Sequence, residues 1–168
     1  TIGFKGPLAL LHWPGNFAMQ KHGIPAKYGS VFPEMKDPEF QQDTVDYLKK
    51  LDLLVRDAGV EDWYLHPYGE ISYDTGELIE RAVWESQMAV RAGVKLWLTL
   101  YPTPPLKKLA PYLSGAIDSM GSLGGNAEIC RTYHELAERY KFTLYGLCGV
   151  YTGSEGGLMP DRYSVGFK

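Results

Sequence analysis

The chain has 168 residues, with 17 basic and 20 acidic side chains and a formal net charge of −3. Apolar residues make up 45% and charged residues 22%, which is enough to bury one core and argues against a disordered tail or a fibre. No basic cluster exceeds the pairs Lys49-Lys50 and Lys107-Lys108, and the early apolar run Leu8 to Leu11 is far short of a membrane span, so neither nucleic acid nor a membrane is an expected partner. The expectation is a single soluble domain over 1–168. Its compartment is open, a secreted or periplasmic parent being compatible with it.

In chain order, the first apolar run, Pro7 to Trp13, predicts a strand. Residues 14–37 are too many for a plain connection and are read as a lid or cleft wall, shaped by Pro14, Gly15, Pro25 and Pro33. A helix is predicted from about Pro38 to Ala58, since Phe40, Thr44, Leu48, Leu51, Val55 and Ala58 recur at helical spacing. Asp37 is placed to cap its start and Gly59 to stop it. Asp62 to Tyr68 predicts a strand, and Gly76 to Ala92 a helix, with Asp74 and Glu77 at capping-box separation and Gly93 beyond its end. The strand Val94 to Tyr101 follows, then a short helix opened by Pro104 and Pro105 that stops near Pro111. A strand from Ala116 to Met120, a helix from about Ala127 to Lys141 and a strand from Phe142 to Val150 complete the series.

Repeated βα units predict a parallel sheet. The strand faces distinguish between parallel architectures. Leu96, Leu98 and Leu100 alternate with Lys95, Trp97, Thr99 and Tyr101, and Trp63, Leu65 and Pro67 alternate with Tyr64, His66, Tyr68 and Glu70. One face is apolar and the other polar and aromatic. Strands buried on both faces would be apolar throughout. The expected fold is therefore α/β, a partial (β/α) TIM-type barrel of about five parallel strands. A whole barrel has eight strands, so the remainder is expected from the same parent chain, and Ser164 to Lys168 reads as the start of a further element.

Chemistry is expected at the C-terminal ends of barrel strands. Glu70 falls there beside aromatic positions, where partial desolvation raises a carboxyl pKa and readies a general acid. A glycosidase needs a second carboxylate, for which Asp118 and Glu155 are candidates. His66, four residues before Glu70, is placed to bond a substrate hydroxyl. His12 ends the first strand run and can reach the same mouth. Four Trp, six Phe and twelve Tyr give an aromatic surplus. Trp13, Tyr68, Trp97, Tyr101 and Tyr151 are candidate platforms for the flat faces of sugars, while Trp63 and Trp84 are assigned to the core. Neither a metal-ligand spacing nor a phosphate-binding glycine motif is present, so no metal or cofactor is expected. Cys130 and Cys148 lack C-x-x-C spacing and read as buried thiols.

The segment Trp63-Tyr64-Leu65-His66-Pro67-Tyr68-Gly69-Glu70, the helix to Ala92 and the strand Lys95-Leu96-Trp97-Leu98-Thr99 resemble the middle of the barrels of glycoside hydrolase family 123 and its relatives. The stretch from Gly146 to Asp161 resembles a late strand and loop of that group. The resemblance implies hydrolysis of N-acetylhexosamine-type sugars, with Glu70 as acid/base and the substrate acetamido group as nucleophile. Where the family pattern has an Asp-Glu pair, this chain has Gly69-Glu70. The expected function is thus glycoside hydrolysis, with a non-catalytic carbohydrate-binding or structural barrel as the alternative. A sugar isomerase is disfavoured, because Lys95 begins its strand.

Overall fold

A computed structural model describes residues 8–25, 29–68, 76–100, 105–118 and 127–146. Its elements in chain order are β1 (Leu8–Leu11), α1 (Pro14–Lys21), a 3-10 turn (Pro33–Lys36), α2 (Pro38–Asp57), β2 (Trp63–His66), α3 (Gly76–Ala92) and β3 (Trp97–Leu100). They continue with α4 (Pro105–Leu109), which runs into a 3-10 turn (Ala110–Tyr112), then β4 (Gly115–Asp118), α5 (Ala127–Tyr140) and β5 (Thr143–Gly146).

All the strand pairings are parallel. β1 pairs with β2, Leu10 opposite Leu65, while β3, β4 and β5 form a second ladder with Leu98 opposite Ala116 and Leu144. Among the described residues a parallel bridge, Leu65 to Leu96, links the two ladders, and the N–H of Leu65 donates to the Lys95 carbonyl at 2.8 Å. The five strands thus lie side by side in sequence order, each as short as four residues. The fold is mixed α/β with short parallel strands, and helix predominates. Among the described residues no helix is long and apolar enough to cross a membrane.

The alternation expected of the strands is present. Leu65, Leu96, Leu98 and Ala116 are fully buried on the face that meets the helices. The opposite face carries Tyr64, His66 and Trp97, half-buried, with Thr99. Helix α2 supplies Phe40, Val45 and Leu48 to the core, α3 supplies Ile79, Ala82 and Met88, and α4 supplies Leu106 and Leu109. Trp63 and Trp84 are buried as assigned: the Trp63 indole donates to Asp52 at 2.8 Å and the Trp84 indole to the Met35 carbonyl at 2.9 Å.

The ends of α2 and α3 follow from their local sequence. The Asp37 carboxylate accepts from the N–H groups of Glu39 and Phe40 at 2.7 and 3.3 Å, occupying donors that the first turn of α2 leaves unpaired. Beyond α2, Gly59 sits at φ 87°, and beyond α3, Gly93 at φ 77°, both in the left-handed region that favours glycine. Asp74 lies outside the described residues. The helix expected to reach Lys141 ends one residue earlier, with Lys141 at φ 61°.

Residues 14–37, expected as a lid or cleft wall, carry regular structure. They contain α1, whose first residue is Pro14, and a 3-10 turn begun by Pro33. Proline at the first helical position is preorganised for a helix and lacks only an N–H that would have no intrahelical acceptor. The segment packs inward: Ala18 and Met19 are buried, and Phe32 stands edge-on to both Phe40 and Trp84, at centroid distances of 5.3 and 6.3 Å.

Where α1 begins, the core holds a buried ion pair. Arg81 Nε donates to Glu85 Oε1 at 3.1 Å, one turn along α3, with side-chain exposures of 2% and 0%. The guanidinium also donates to Asn16 Oδ1 at 2.8 Å and to the Ser30 carbonyl at 3.4 Å. The Tyr68 side chain and the Gly15 backbone lie close to the Glu85 carboxylate, whose Oε2 accepts no hydrogen bond among the described residues. Burial pushes the Glu85 carboxyl above its ordinary range, and Arg81 with these neighbours offsets this only in part.

Gly15 is required here by space. A Cβ on it would lie 2.7 Å from Glu85 Oε1, 3.0 Å from Arg81 Nη2 and 3.1 Å from Trp84. None of the three groups has open space to retreat into. Gly15→Ala is therefore expected to cost roughly 1–3 kcal/mol of stability, measured by urea denaturation. An unchanged midpoint would mean that α1 does not press on the ion pair.

Candidate functional site

The sheet positions two groups of side chains along its strands. His66 ends β2 and Thr99 lies near the end of β3, and His66 Nε2 shares a hydrogen bond with Thr99 Oγ1 at 3.1 Å. Both stand toward the C-terminal ends of their strands. Trp97 opens β3. Its ring meets Tyr64 edge-on at 5.5 Å, and the Lys95 ammonium lies 5.3 Å from the Tyr64 ring centre while pairing with Asp62 at 2.7 Å. The parallel bridge of Leu65 to Leu96 sets Trp97 level with His66 across the two strands, on the same polar and aromatic face.

Beyond the C-terminal end of β1, the chain turns directly into α1, and a cleft of about 450 Å³ opens there. Its lining is Leu11, His12 and Trp13 from the strand end, Asn16, Phe17 and Gln20 from α1, and Tyr47 from α2. A volume of this size lies within the roughly 300–1,000 Å³ usual for small-molecule sites. Helical geometry explains the grouping: positions 13, 16, 17 and 20 fall on one face at the start of α1, and that face meets α2, where Tyr47 stands. The Phe17 and Tyr47 rings stack at 4.1 Å. The Tyr47 hydroxyl and His12 Nε2 share a hydrogen bond of 2.5 Å.

The electrostatics of the cleft are those of a neutral surface. Burial lowers the pKa of His12 below its ordinary 6.5 and raises that of Tyr47 above 10.0, so both are uncharged at neutral pH. Among the described residues, no other lining residue is ionisable. Lys21, next to Gln20 in the chain, pairs with Asp43 at 2.6 Å, and Asp46, next to Tyr47, accepts from Gln42 at 2.8 Å. Leu11, Trp13 and Phe17 keep exposures of 57%, 38% and 41%, so the cleft presents apolar surface to solvent, rimmed by two amides. It adjoins the His66 strand end: Leu11 is the register partner of His66, and the His12 N–H donates to the His66 carbonyl at 3.3 Å.

Of the expected site residues, Trp13 and His66 stand at this end of the sheet. Tyr68 is 1% exposed, with its hydroxyl turned to Glu85; its ring belongs to the packing around the ion pair. Asp118 is the last residue of β4, in register with Leu100 and Gly146, and its side chain lies outside the described part. Glu70, Tyr101, Glu155, Tyr151, Cys148 and the side chain of Cys130 also lie outside the described residues. Asn16, Phe17, Gln20 and Tyr47 were missed. The spacing of Trp13, Phe17 and Gln20 was available as a signal, but Pro14 and Gly15 between them read as a loop. Among the described residues, no three of His, Cys, Asp or Glu come together in a way that could hold a metal ion.

No protein-family model, curated protein or solved structure matches the chain.

The two histidines give the site a pH signature. Burial also lowers the pKa of His66. The unfolded chain, with histidines near 6.5, therefore takes up protons first as the pH falls. Stability from these groups is complete above pH 6.5 and is lost as the pH drops below that value through the folded-state pKa values. Proton NMR titration is expected to place both imidazoles below 6.5; either one titrating at or above 6.5 would contradict the burial described here.

Proposed function

We propose that the chain forms part of a (β/α) TIM-type barrel that binds carbohydrate at the C-terminal ends of its strands and cleaves a glycosidic bond, with Glu70 as general acid/base. The observation that carries this reading is the neutral aromatic cleft beyond β1, beside the His66–Thr99 pair. Sugar rings stack their C–H faces on exposed aromatic rings, and their hydroxyls pair with amides and histidines. Five parallel strands in sequence order, with one apolar and one polar face, support the barrel. The Trp63 to Glu70 segment, with its resemblance to glycoside hydrolase family 123, supports the chemistry.

In this reading Glu70 follows His66 by four residues at the end of β2 and protonates the leaving glycosidic oxygen. Asp118 or Glu155 supplies the second carboxylate, and Tyr101 and Tyr151 extend the sugar platform begun by Trp13. The rest of the barrel comes from the parent chain. A second reading, a carbohydrate-binding domain without catalysis, is favoured by one observation: none of the described residues lining the cleft is a carboxylate.

Glu70→Gln separates the two. On a panel of aryl glycosides, the substitution is expected to lower turnover by at least about a hundredfold, the scale of one general acid, with sugar binding retained. Undiminished turnover would remove Glu70 from the mechanism. Binding with no turnover in either protein would select the second reading.

A further inference from the structure

We propose that Asn16 is a specificity-determining residue of the cleft, a fixed hydrogen-bond donor that selects an acceptor oxygen on a neutral ring lying against Trp13 and Phe17. The inference rests on the carbohydrate reading above and names the class of sugar that the cleft takes.

An asparagine amide on a surface can turn either its oxygen or its nitrogen outward. Asn16 is denied that choice. Arg81 Nη2 donates to it at 2.8 Å, and a guanidinium has no acceptor, so the amide oxygen is the atom that faces Arg81. The N–H groups are what remains for the cleft that Asn16 lines. The clamp is itself immobile. Arg81 is 1% exposed, paired with the fully buried Glu85 and bonded to the Ser30 carbonyl. A donor held from behind by a buried charge keeps its orientation before a ligand arrives, and preorganisation of this kind gives discrimination as well as affinity.

The rest of the lining limits what can accept that donor. Among the described residues the cleft has no cationic side chain to neutralise a carboxylate or phosphate, and no anionic one to hold an ammonium group. A charged ligand would lose hydration there without gaining a partner. Two rings, Trp13 and Phe17, stand partly exposed on the rim. What fits is a neutral polyhydroxylated ring, with its C–H face on the aromatic side chains and a hydroxyl or ring oxygen on Asn16. Uronic and sialic acids are disfavoured. Arg81 acts only through Asn16 and is a positioning residue.

The test uses the 168-residue chain and isothermal calorimetry with cellotetraose, xylotetraose, mannotetraose and laminaritetraose, with trigalacturonate as the charged probe. Asn16→Asp keeps the shape and the bond to Arg81 but removes both N–H donors. At least one neutral probe is expected to bind, and more tightly than trigalacturonate. Asn16→Asp is expected to weaken it about five- to tenfold, the size of one neutral hydrogen bond, with no fall in melting temperature. Trp13→Ala is expected to weaken it roughly tenfold. The side-chain amide signals of Asn16 in the unmodified protein should shift on titration, a readout that needs no variant to fold.

If Trp13→Ala weakens binding while Asn16→Asp and the Asn16 signals show no response, the cleft is the site and the assignment of Asn16 is overturned. If both variants bind like the unmodified protein, the sugar lies elsewhere and the inference fails while the carbohydrate reading survives. If no probe binds the unmodified protein, the carbohydrate reading fails and the inference with it.

Discussion

Arg81 and Glu85, both shut off from water, bind together the elements that frame the cleft. Removing two charges from water costs several kcal/mol per ion, and their mutual attraction offsets this only where the remaining donors and acceptors are also satisfied. Here Arg81 finds its further partners in distant parts of the chain, the Asn16 amide at the start of α1 and the Ser30 carbonyl before the 3-10 turn, while Glu85 depends on Arg81 and its Oε2 accepts no hydrogen bond among the described residues. Neither segment can withdraw without leaving the buried guanidinium short of a partner. The constraint therefore fixes where α1 leaves the sheet, and with it the cleft that Trp13, Asn16 and Phe17 line.

The sheet supplies the other half of the arrangement. Its leucine face is sealed against the helices, so side chains of the alternate register face the other way, and polar residues are tolerated there because they meet one another across strands. His66 with Thr99, and Tyr64 with Trp97, are such pairs. The first lies toward the C-terminal strand ends, and the second, with Lys95 and Asp62 beside it, continues the same face along β2 and β3.

Much of this architecture was legible in the residues. The period of Phe40, Thr44 and Leu48, bounded by Asp37 and Gly59, marks α2 because hydrophobic spacing and end chemistry agree. The alternation in Leu96 to Thr99 marks a strand with unlike faces for the same reason. Helix α1 was not legible, because Pro14 and Gly15 carry loop propensities, while their actual roles are a first helical turn and a close approach to Glu85. The burial of Tyr68 was not legible for a different reason. Alternation gives the face of a side chain, but not whether a buried partner claims it. The ion pair itself was hidden, since an Arg and a Glu four residues apart on a helix usually read as a solvated surface pair.

Amide hydrogen exchange at Gly15 tests the central constraint most directly. As the second residue of α1, its N–H has no acceptor within the helix, so its protection reports how tightly the buried Gly15 is held against Glu85, Arg81 and Trp84. The account predicts that Gly15 exchanges as slowly as the interior amides of α3, and that this protection is lost in Glu85→Leu while the amides of β3 and β4 stay slow. Exchange of Gly15 at the rate of an open chain in the unmodified protein would contradict it.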